Sequence, residues 1–200
     1  MKFPMKLQIP DGSFDGYIFD CDGTLADTMP LHYEAWCQAL AEHACEFPEA
    51  FFYELGGIPT ERIVEILNER HGHNMPVVET AKHKEELFVE LIPRILPIEA
   101  VVEFVREFHG KKPLAVASGG HRAIVIKTLT ALGIADKFDA IVGADDYVNG
   151  KPAPDPFLEA ARRIGVPPER CLVFEDTQIG ITAATAAGMQ SVLVPAPARG

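Results

Sequence analysis

The stretch FDCDGTLADT, residues 19–28, places three aspartates within ten residues, at the end of the apolar run 17–19. An apolar run that passes into acidic residues and a glycine is typical of a buried strand ending in a turn. Residues two apart in a strand face the same side, so Asp20 and Asp22 are predicted to project together. A D-x-D pair alone also fits an Asp-rich turn, so other parts of the chain must distinguish the two interpretations.

Further short apolar runs resemble buried strands, and helical patterns separate the later ones. The five predicted strands cover residues 16–19, 113–117, 140–142, 171–174 and 191–194. Strands that alternate with helices indicate an α/β fold, with a Rossmann-like, mostly parallel sheet and helices on both faces.

The segment 28–93 interrupts this alternation. EAWCQAL, ERIVEILNER and HKEELFVELI each have the spacing of an amphipathic helix, and no strand pattern lies between them. We therefore predict an α-helical subdomain at 28–93, inserted after the first strand into a core formed by residues 1–27 and 94–200.

The chain is acidic and has no secretion or membrane signal. Lys and Arg number 18 and Asp and Glu number 29, which gives a formal net charge of −11. This charge opposes binding to nucleic acids and to anionic membranes, so neither is predicted as a partner. The four cysteines form no C-x-x-C pair, and with no signal peptide or membrane-length apolar run we predict a cytoplasmic protein.

Polar residues follow each later predicted strand. Ser118 and Gly119 precede a predicted helix, where a hydroxyl and free N–H groups would bind phosphate, although Ser118 also fits a helix N-cap. Lys151 lies in the proline-rich stretch GKPAPDP, and a lone loop lysine is usually solvated. Glu175 and Asp176 end the fourth strand, and Asp176 or Thr177 alone would fit an N-cap.

The four strand ends taken together are harder to explain by capping. In open α/β sheets, ligands bind at the carboxyl ends of the strands. Mg²⁺ prefers carboxylates, water and phosphate oxygens, whereas zinc prefers Cys and His. Asp20, Glu175 and Asp176 are therefore predicted to hold Mg²⁺ beside a bound phosphate, and the metal would neutralise carboxylates that otherwise repel one another.

These motifs resemble those of a known family. D20-C-D-G-T-L-A-D27-T, S118-G-G, G150-K-P-A-P-D155 and F174-E-D176 are similar to the four motifs of the haloacid dehalogenase superfamily of phosphotransferases. The similarity covers nearly the whole chain. DTMPLHYEAW, LGGIPTERI and KPAPDPF further resemble the β-phosphoglucomutase and sugar-phosphate phosphatase branch, in which a helical cap follows the first strand.

The resemblance implies a role for each core residue. Asp20 would be the nucleophile that forms an aspartyl-phosphate, and Asp22 the general acid and base. Ser118, the Gly119 N–H and Lys151 would hold the transferring phosphate oxygens. Asp22 would join Asp20, Glu175 and Asp176 as a metal ligand through its backbone carbonyl. We expect proximity to Asp20 to raise the pKa of Asp22 and the metal to oppose that shift.

The predicted cap also supplies candidate site residues. His32 and Trp36 lie four apart on one helix face, and the family residue that matches His32 faces the catalytic acid. Trp36 is predicted to pack in the core. Thr60, at the start of the next helix, is expected to be both cap and substrate contact, and Gly57 to permit close approach of substrate or to act as a hinge.

The sequence favours a phosphatase of small sugar phosphates, such as a hexose or ketose 1-phosphate, over a β-phosphoglucomutase. Mutases of the family hold a second phosphate with a cap arginine, and Thr60 stands at that place. The stretch S118-G-G-H121-R122 also lacks the second Ser and the Lys of the mutase pattern, although Arg62 or Arg122 would still supply a guanidinium if it turned inward. A third alternative is a non-enzymatic regulator that binds a metabolite in the cap groove.

Overall fold

The computed structural model describes residues 7–197, so the outer ends of the predicted core, 1–6 and 198–200, lie outside the described residues. Within this range the strands are β1 Gly16–Phe19, β2 Leu114–Ala117, β3 Ala140–Val142, β4 Cys171–Glu175 and β5 Gln190–Leu193. The helices are α1 Met29–Ala41, α2 Glu49–Glu54, α3 Thr60–His71, α4 Val77–Leu91, α5 Glu99–Phe108, α6 Arg122–Ala131, α7 Asp155–Ile164 and α8 Gln178–Ala186.

The five strands form one parallel sheet in the order β3-β2-β1-β4-β5. The chain starts at the centre and moves to β2 and β3 on one side, then to β4 and β5 on the other. The order therefore reverses at β1, next to β4, and such a switch point is where open α/β sheets bind ligands. Phe19 pairs with Phe174, so the residues that follow both strands emerge side by side.

Alternate side chains of the strands enter two separate cores. Tyr17 and Phe19 lie in a cluster that includes Val101 and Val105 of α5 and Leu129 of α6. Ile18, between the two aromatic residues, faces the opposite core, which contains residues of α7 and α8. The prediction of an α/β fold with helices on both faces of the sheet is thus confirmed.

Helices α1 to α4 follow one another without an intervening strand, and we call residues 29–91 the helical segment. A buried cluster of its own residues includes Trp36, Phe52 and Leu67, so Trp36 is packed as predicted. A second cluster includes Leu31 and Phe88 and has Ile124 of α6 packed against it, which joins the segment to the remainder of the fold. The short α2 was missed because its six residues are too few to show a helical period.

No helix among residues 7–197 has the length and apolar character needed to cross a bilayer.

Candidate active site

The predicted core residues meet at the carboxyl edge of the sheet. Lys151 Nζ donates hydrogen bonds to Asp20 Oδ1 at 2.6 Å and to Glu175 Oε2 at 2.7 Å. All three side chains are buried, so the lysine is not the solvated surface residue that a lone loop lysine usually is. Its ion pairs with Asp20 and Glu175 outweigh burial and raise the pKa of Lys151 well above its usual value. Lys151 is therefore a cation held against two carboxylates.

A third carboxylate makes this edge strongly acidic. Oxygen atoms of Asp20, Glu175 and Asp176 lie within 4.8 Å of one another. Burial raises the pKa of Asp20, the nearby carboxylates add to the shift, and Lys151 opposes it. Burial and then Glu175 raise the pKa of Asp176 to about 7, against a hydrogen bond from Thr24 and the charge of Lys151. One lysine does not balance three acids, so this set of hard oxygen donors fits a divalent cation such as Mg²⁺.

Two glycines make room for these carboxylates. Gly23 has a φ of +85°, and a Cβ placed on it would overlap the carboxylate of Asp176. Gly180, in the first turn of α8, would likewise overlap the carboxylate of Glu175 if it carried a Cβ. Thr177 caps this helix by accepting from the Gly180 N–H, as one of the sequence alternatives stated, and its hydroxyl donates to Glu175 Oε1 at 2.7 Å.

The loop after β2 brings Ser118 to the same edge. The Ser118 hydroxyl is buried and accepts a hydrogen bond from the Gly120 N–H at 3.0 Å, while His121 occupies the N-cap position of α6. Ser118 is therefore not the N-cap of this helix. The same loop lines the cavity that Asp20 and Asp22 also line, so Ser118 and Gly119 share this cavity with the predicted nucleophile.

Asp22 lies beside Asp20 but in a different electrostatic environment. Its Oδ1 accepts hydrogen bonds from Thr28 Oγ1 at 2.7 Å and from His32 Nε2 at 3.3 Å. Burial raises the pKa of Asp22, but the hydrogen bonds from His32 and Thr28 and the charge of Lys84 outweigh it and lower the pKa to about 2. The expected upward shift caused by Asp20 is therefore wrong for this structure, because the hydrogen bonds and the positive charge that favour the carboxylate outweigh the effects that raise the pKa.

His32 links Asp22 to α4. Its ring stacks on Phe88, with centroids 3.7 Å apart, and its Nδ1 lies 2.8 Å from Lys84 Nζ. An ammonium group is only a donor, so Nδ1 accepts and the ring proton is placed on Nε2, facing Asp22. Burial and the charge of Lys84 lower the pKa of His32, although the hydrogen bond to Asp22 and its charge raise it. The lowered pKa favours the neutral ring.

Lys84 and Glu85 are cavity residues that the sequence analysis did not single out. Lys84 is buried and donates to Glu85 Oε1 at 3.0 Å, and the same oxygen accepts from Thr60 Oγ1 at 2.6 Å. HKEELFVELI reads as an ordinary amphipathic helix with charges at its solvated face, so no sequence signal marks these two. Thr60 is not an N-cap, since Pro59 holds that position and the Thr60 hydroxyl is bound to Glu85.

A cavity lies between this network and the edge of the sheet. Asp20, Asp22, Ser118, Gly119 and Glu175 line one side. Residues of the helical segment line the other and include His32, Trp36, Gly57, Thr60, Lys84 and Glu85. The backbone oxygen of Gly57 approaches Gly119 so closely that a Cβ there would lie 3.2 Å from it.

The two arginines that could replace the mutase arginine make their contacts outside the cavity. Arg62 binds Glu65 at 2.8 Å on an exposed face of α3. Arg122 donates through Nε to the carbonyl of Ile141 at 3.1 Å. Neither residue lines the cavity described above.

Comparison with known proteins identifies the family of this chain. A model of the haloacid dehalogenase-like hydrolase family matches residues 17–194. The fructose-1-phosphate phosphatase of Escherichia coli K12 is 38% identical over 90% of this chain and 95% of its own length. A phosphorylated carbohydrates phosphatase of Thermotoga maritima is 30% identical over 89% of this chain and 83% of its own.

A solved structure of β-phosphoglucomutase from Clostridium difficile superimposes with a TM-score of 0.78. It is 31% identical, and the match covers 89% of this chain and 83% of that one. The chain therefore belongs to the haloacid dehalogenase-like hydrolase family. It is a phosphoric monoester hydrolase, and the alternative of a non-enzymatic regulator is not supported.

Proposed function

We propose that this protein is a Mg²⁺-dependent phosphatase that hydrolyses a small sugar phosphate, of the hexose or ketose 1-phosphate type, through an aspartyl-phosphate. The observation that carries the proposal is the convergence of Asp20, Lys151, Glu175 and Asp176 at the carboxyl edge of the sheet, where Asp20 and Glu175 line a cavity. The relatives that are named sugar-phosphate phosphatases support the substrate class.

Asp20 is the proposed nucleophile. Its carboxylate attacks phosphorus, the bond to the leaving alcohol breaks, and the phosphoryl group is held on the Asp20 side chain. Lys151, already bound to Asp20, stabilises the negative charge on the transferring oxygens. The Ser118 hydroxyl and the Gly119 N–H donate to the same oxygens from the opposite loop.

Asp22 is the proposed acid and base. The leaving oxygen needs a proton, and a phosphate dianion bound beside Asp22 raises its pKa towards protonation. After the alcohol departs, Asp22 as a carboxylate accepts a proton from the water that hydrolyses the phospho-enzyme. The contacts from Thr28 and His32 favour this carboxylate form and hold its orientation.

Mg²⁺ would be held by the side chains of Asp20, Glu175 and Asp176 and by the backbone carbonyl of Asp22. When bound, it neutralises the crowded carboxylates and allows a phosphate dianion to approach them. Lys151 contributes a further positive charge to this group by binding Asp20 and Glu175.

The helical segment is proposed to act as a cap that encloses the substrate. Gly57 lies against Gly119, and His32 carries the segment's contact to Asp22. Closure would exclude bulk water and present Thr60, Lys84 and Glu85 to the sugar. We assign residues 28–93 to this cap and residues 1–27 and 94–200 to the catalytic core.

A panel of phosphorylated metabolites, assayed for released phosphate with and without Mg²⁺, tests the proposal. We expect the highest kcat/KM with hexose or ketose 1-phosphates and loss of activity with EDTA. Preference for nucleotides or phosphopeptides, or full activity in EDTA, would contradict it.

β-Phosphoglucomutase activity is the second candidate, because of the structural similarity to the Clostridium difficile enzyme. Thr60 in place of the mutase arginine, and the outward direction of Arg62 and Arg122, favour the phosphatase. Incubation with β-glucose 1-phosphate and a trace of the 1,6-bisphosphate separates the two. Glucose 6-phosphate formed without net phosphate release would establish the mutase.

We also infer a cytoplasmic location. All four cysteines are free thiols, as expected in a reducing compartment, and three of them are buried. Fractionation of cells that produce the protein tests this inference.

A further inference from the structure

The cavity wall formed by the helical segment carries one positive and one negative side chain. Among the described residues of the segment that line the cavity, the side chains charged at neutral pH are Lys84 and Glu85. Lys84 donates to Glu85 at 3.0 Å and to His32 at 2.8 Å. The single cation of this wall is therefore balanced by a carboxylate in direct contact with it.

Glu85 is held as an anion in this position. Burial raises its pKa, but the charge of Lys84 and the hydrogen bonds from Thr60 and Lys84 outweigh burial and lower it. The hydrogen bonds from Thr60 and Lys84 both end on Oε1 of Glu85, and 18% of the Glu85 side chain remains accessible. A carboxylate accepts hydrogen bonds from sugar hydroxyls but repels a phosphate.

The lysine that neutralises the opposite side of the cavity, where Asp20 and Glu175 lie, is already engaged. Lys151 binds Asp20 and Glu175 and serves the phosphate that is transferred. A second phosphate on the same sugar would have to face the helical segment, where it would meet no net positive charge.

We propose that Glu85 is a specificity-determining residue that selects sugar monophosphates by excluding sugars with a second phosphate. This inference rests on the proposed phosphatase function and adds the feature that limits its substrate class. Thr60 contributes by orienting the carboxylate through its 2.6 Å hydrogen bond.

The test compares kcat/KM for a hexose 1-phosphate and for the corresponding 1,6-bisphosphate, in wild type and in Glu85→Gln. Glutamine keeps an oxygen that accepts from Thr60 and Lys84 but removes the charge. We expect the bisphosphate-to-monophosphate ratio of kcat/KM to rise ~10-fold or more in Glu85→Gln, mainly through a lower KM for the bisphosphate.

Glu86→Gln is the matched control. It removes the same charge from the next residue of α4, where Glu86 is exposed and pairs with Lys82 at 3.7 Å. This variant should keep the wild-type ratio, because a solvent-screened charge outside the cavity has little effect on a bound phosphate.

An unchanged ratio in a folded Glu85→Gln enzyme that hydrolyses the monophosphate would overturn this inference and leave the proposed function intact. Should that variant not fold, wild type supplies the test through competitive inhibition. A 1,6-bisphosphate that inhibits as strongly as a non-hydrolysed hexose monophosphate analogue would overturn the inference. Wild type that hydrolyses no sugar phosphate would overturn the proposed function and this inference with it.

Discussion

The ammonium group of Lys84 lies 2.8 Å from Nδ1 of His32, and this contact determines which ring nitrogen carries the proton. With Nδ1 accepting, Nε2 donates towards Asp22. Lys84, which lies 52 positions after His32 in the chain, thus controls the hydrogen bond from His32 to the proposed acid and base.

Replacing Lys84 with methionine should lower kcat. Without the ammonium, the proton of His32 is no longer confined to Nε2, and Asp22 loses part of the support for its carboxylate form. We expect kcat to fall by ~10- to 100-fold, less than the ~100- to 10,000-fold that a general acid–base group contributes, because Asp22 itself is retained. Steady-state rates of Lys84→Met and of the exposed control Lys82→Met give the comparison, and equal rates in the two variants would contradict the role of Lys84.

The same substitution should destabilise the protein, because it leaves Glu85 charged and largely buried without its cation. Breaking such a pair from one side costs about 3–5 kcal/mol, an upper figure here because Glu85 keeps some solvent contact. Thermal unfolding should show a lower Tm for Lys84→Met and recovery in Lys84→Met/Glu85→Gln. If the double variant recovers its Tm but not its kcat, the effect of Lys84 on stability is distinct from its effect on catalysis.

Replacing Asp20 with asparagine should abolish phosphate release and leave the fold intact. The amide is not a nucleophile, but its oxygen still accepts from Lys151, and one of the crowded carboxylates is removed. The Tm of the metal-free variant should equal or exceed that of wild type. Phosphatase activity in a sample whose mass confirms the asparagine would exclude the covalent route.

The metal-free protein should lose stability as the pH rises. The pKa of Asp176 is about 7 in the folded protein and 3.8 in its reference state, so between about pH 4 and 7 the folded state binds more protons than the unfolded chain. The Asp176 contribution therefore favours folding below this window and is lost as the pH passes 7. Denaturant unfolding in EDTA, repeated across this range, measures the trend.

Mg²⁺ should reverse that trend, since it binds the ionised carboxylates. The increase in Tm caused by Mg²⁺ is expected to be larger at about pH 8 than at about pH 6. Asp176→Asn should remove most of the difference. A Mg²⁺-induced shift that is equal at both values in wild type would argue against Asp176 as a ligand.

Gly180→Ala should impair catalysis although alanine is the better helix former. A Cβ at this position overlaps the Glu175 carboxylate, which must move away from Lys151 and Thr177. Displacement of a site group by about 1 Å can cost ~100-fold in rate. Thr182→Ala, an exposed change in the same helix, should retain full activity, and a normal rate for Gly180→Ala would show that the Glu175 position is not critical.

Local patterns in the sequence determined the fold class and the core of the site. Short apolar runs identified β1 to β5 within a residue or two, and the polar residues behind them drew attention to Asp20, Asp22, Ser118, Lys151 and Glu175-Asp176. These features are readable because strand alternation, glycine turns and strand-end polarity are short-range properties. The direction of the shift in the Asp22 pKa could not be predicted, because it depends on the distances from Asp22 to its hydrogen-bond partners and to nearby charges.

The residues that line the cavity opposite the proposed nucleophile could be identified only from the tertiary structure. Lys84 and Glu85 look like solvated charges of an amphipathic helix until α4 packs on α1 and places them against His32 and Thr60. The role of a charged side chain depends on its burial and partners, and those are set by contacts between residues far apart in sequence. The residues at the sheet edge can be recognised from their sequence motifs. The proposed selectivity for monophosphates depends on the packing of α4 against α1, which the sequence alone does not reveal.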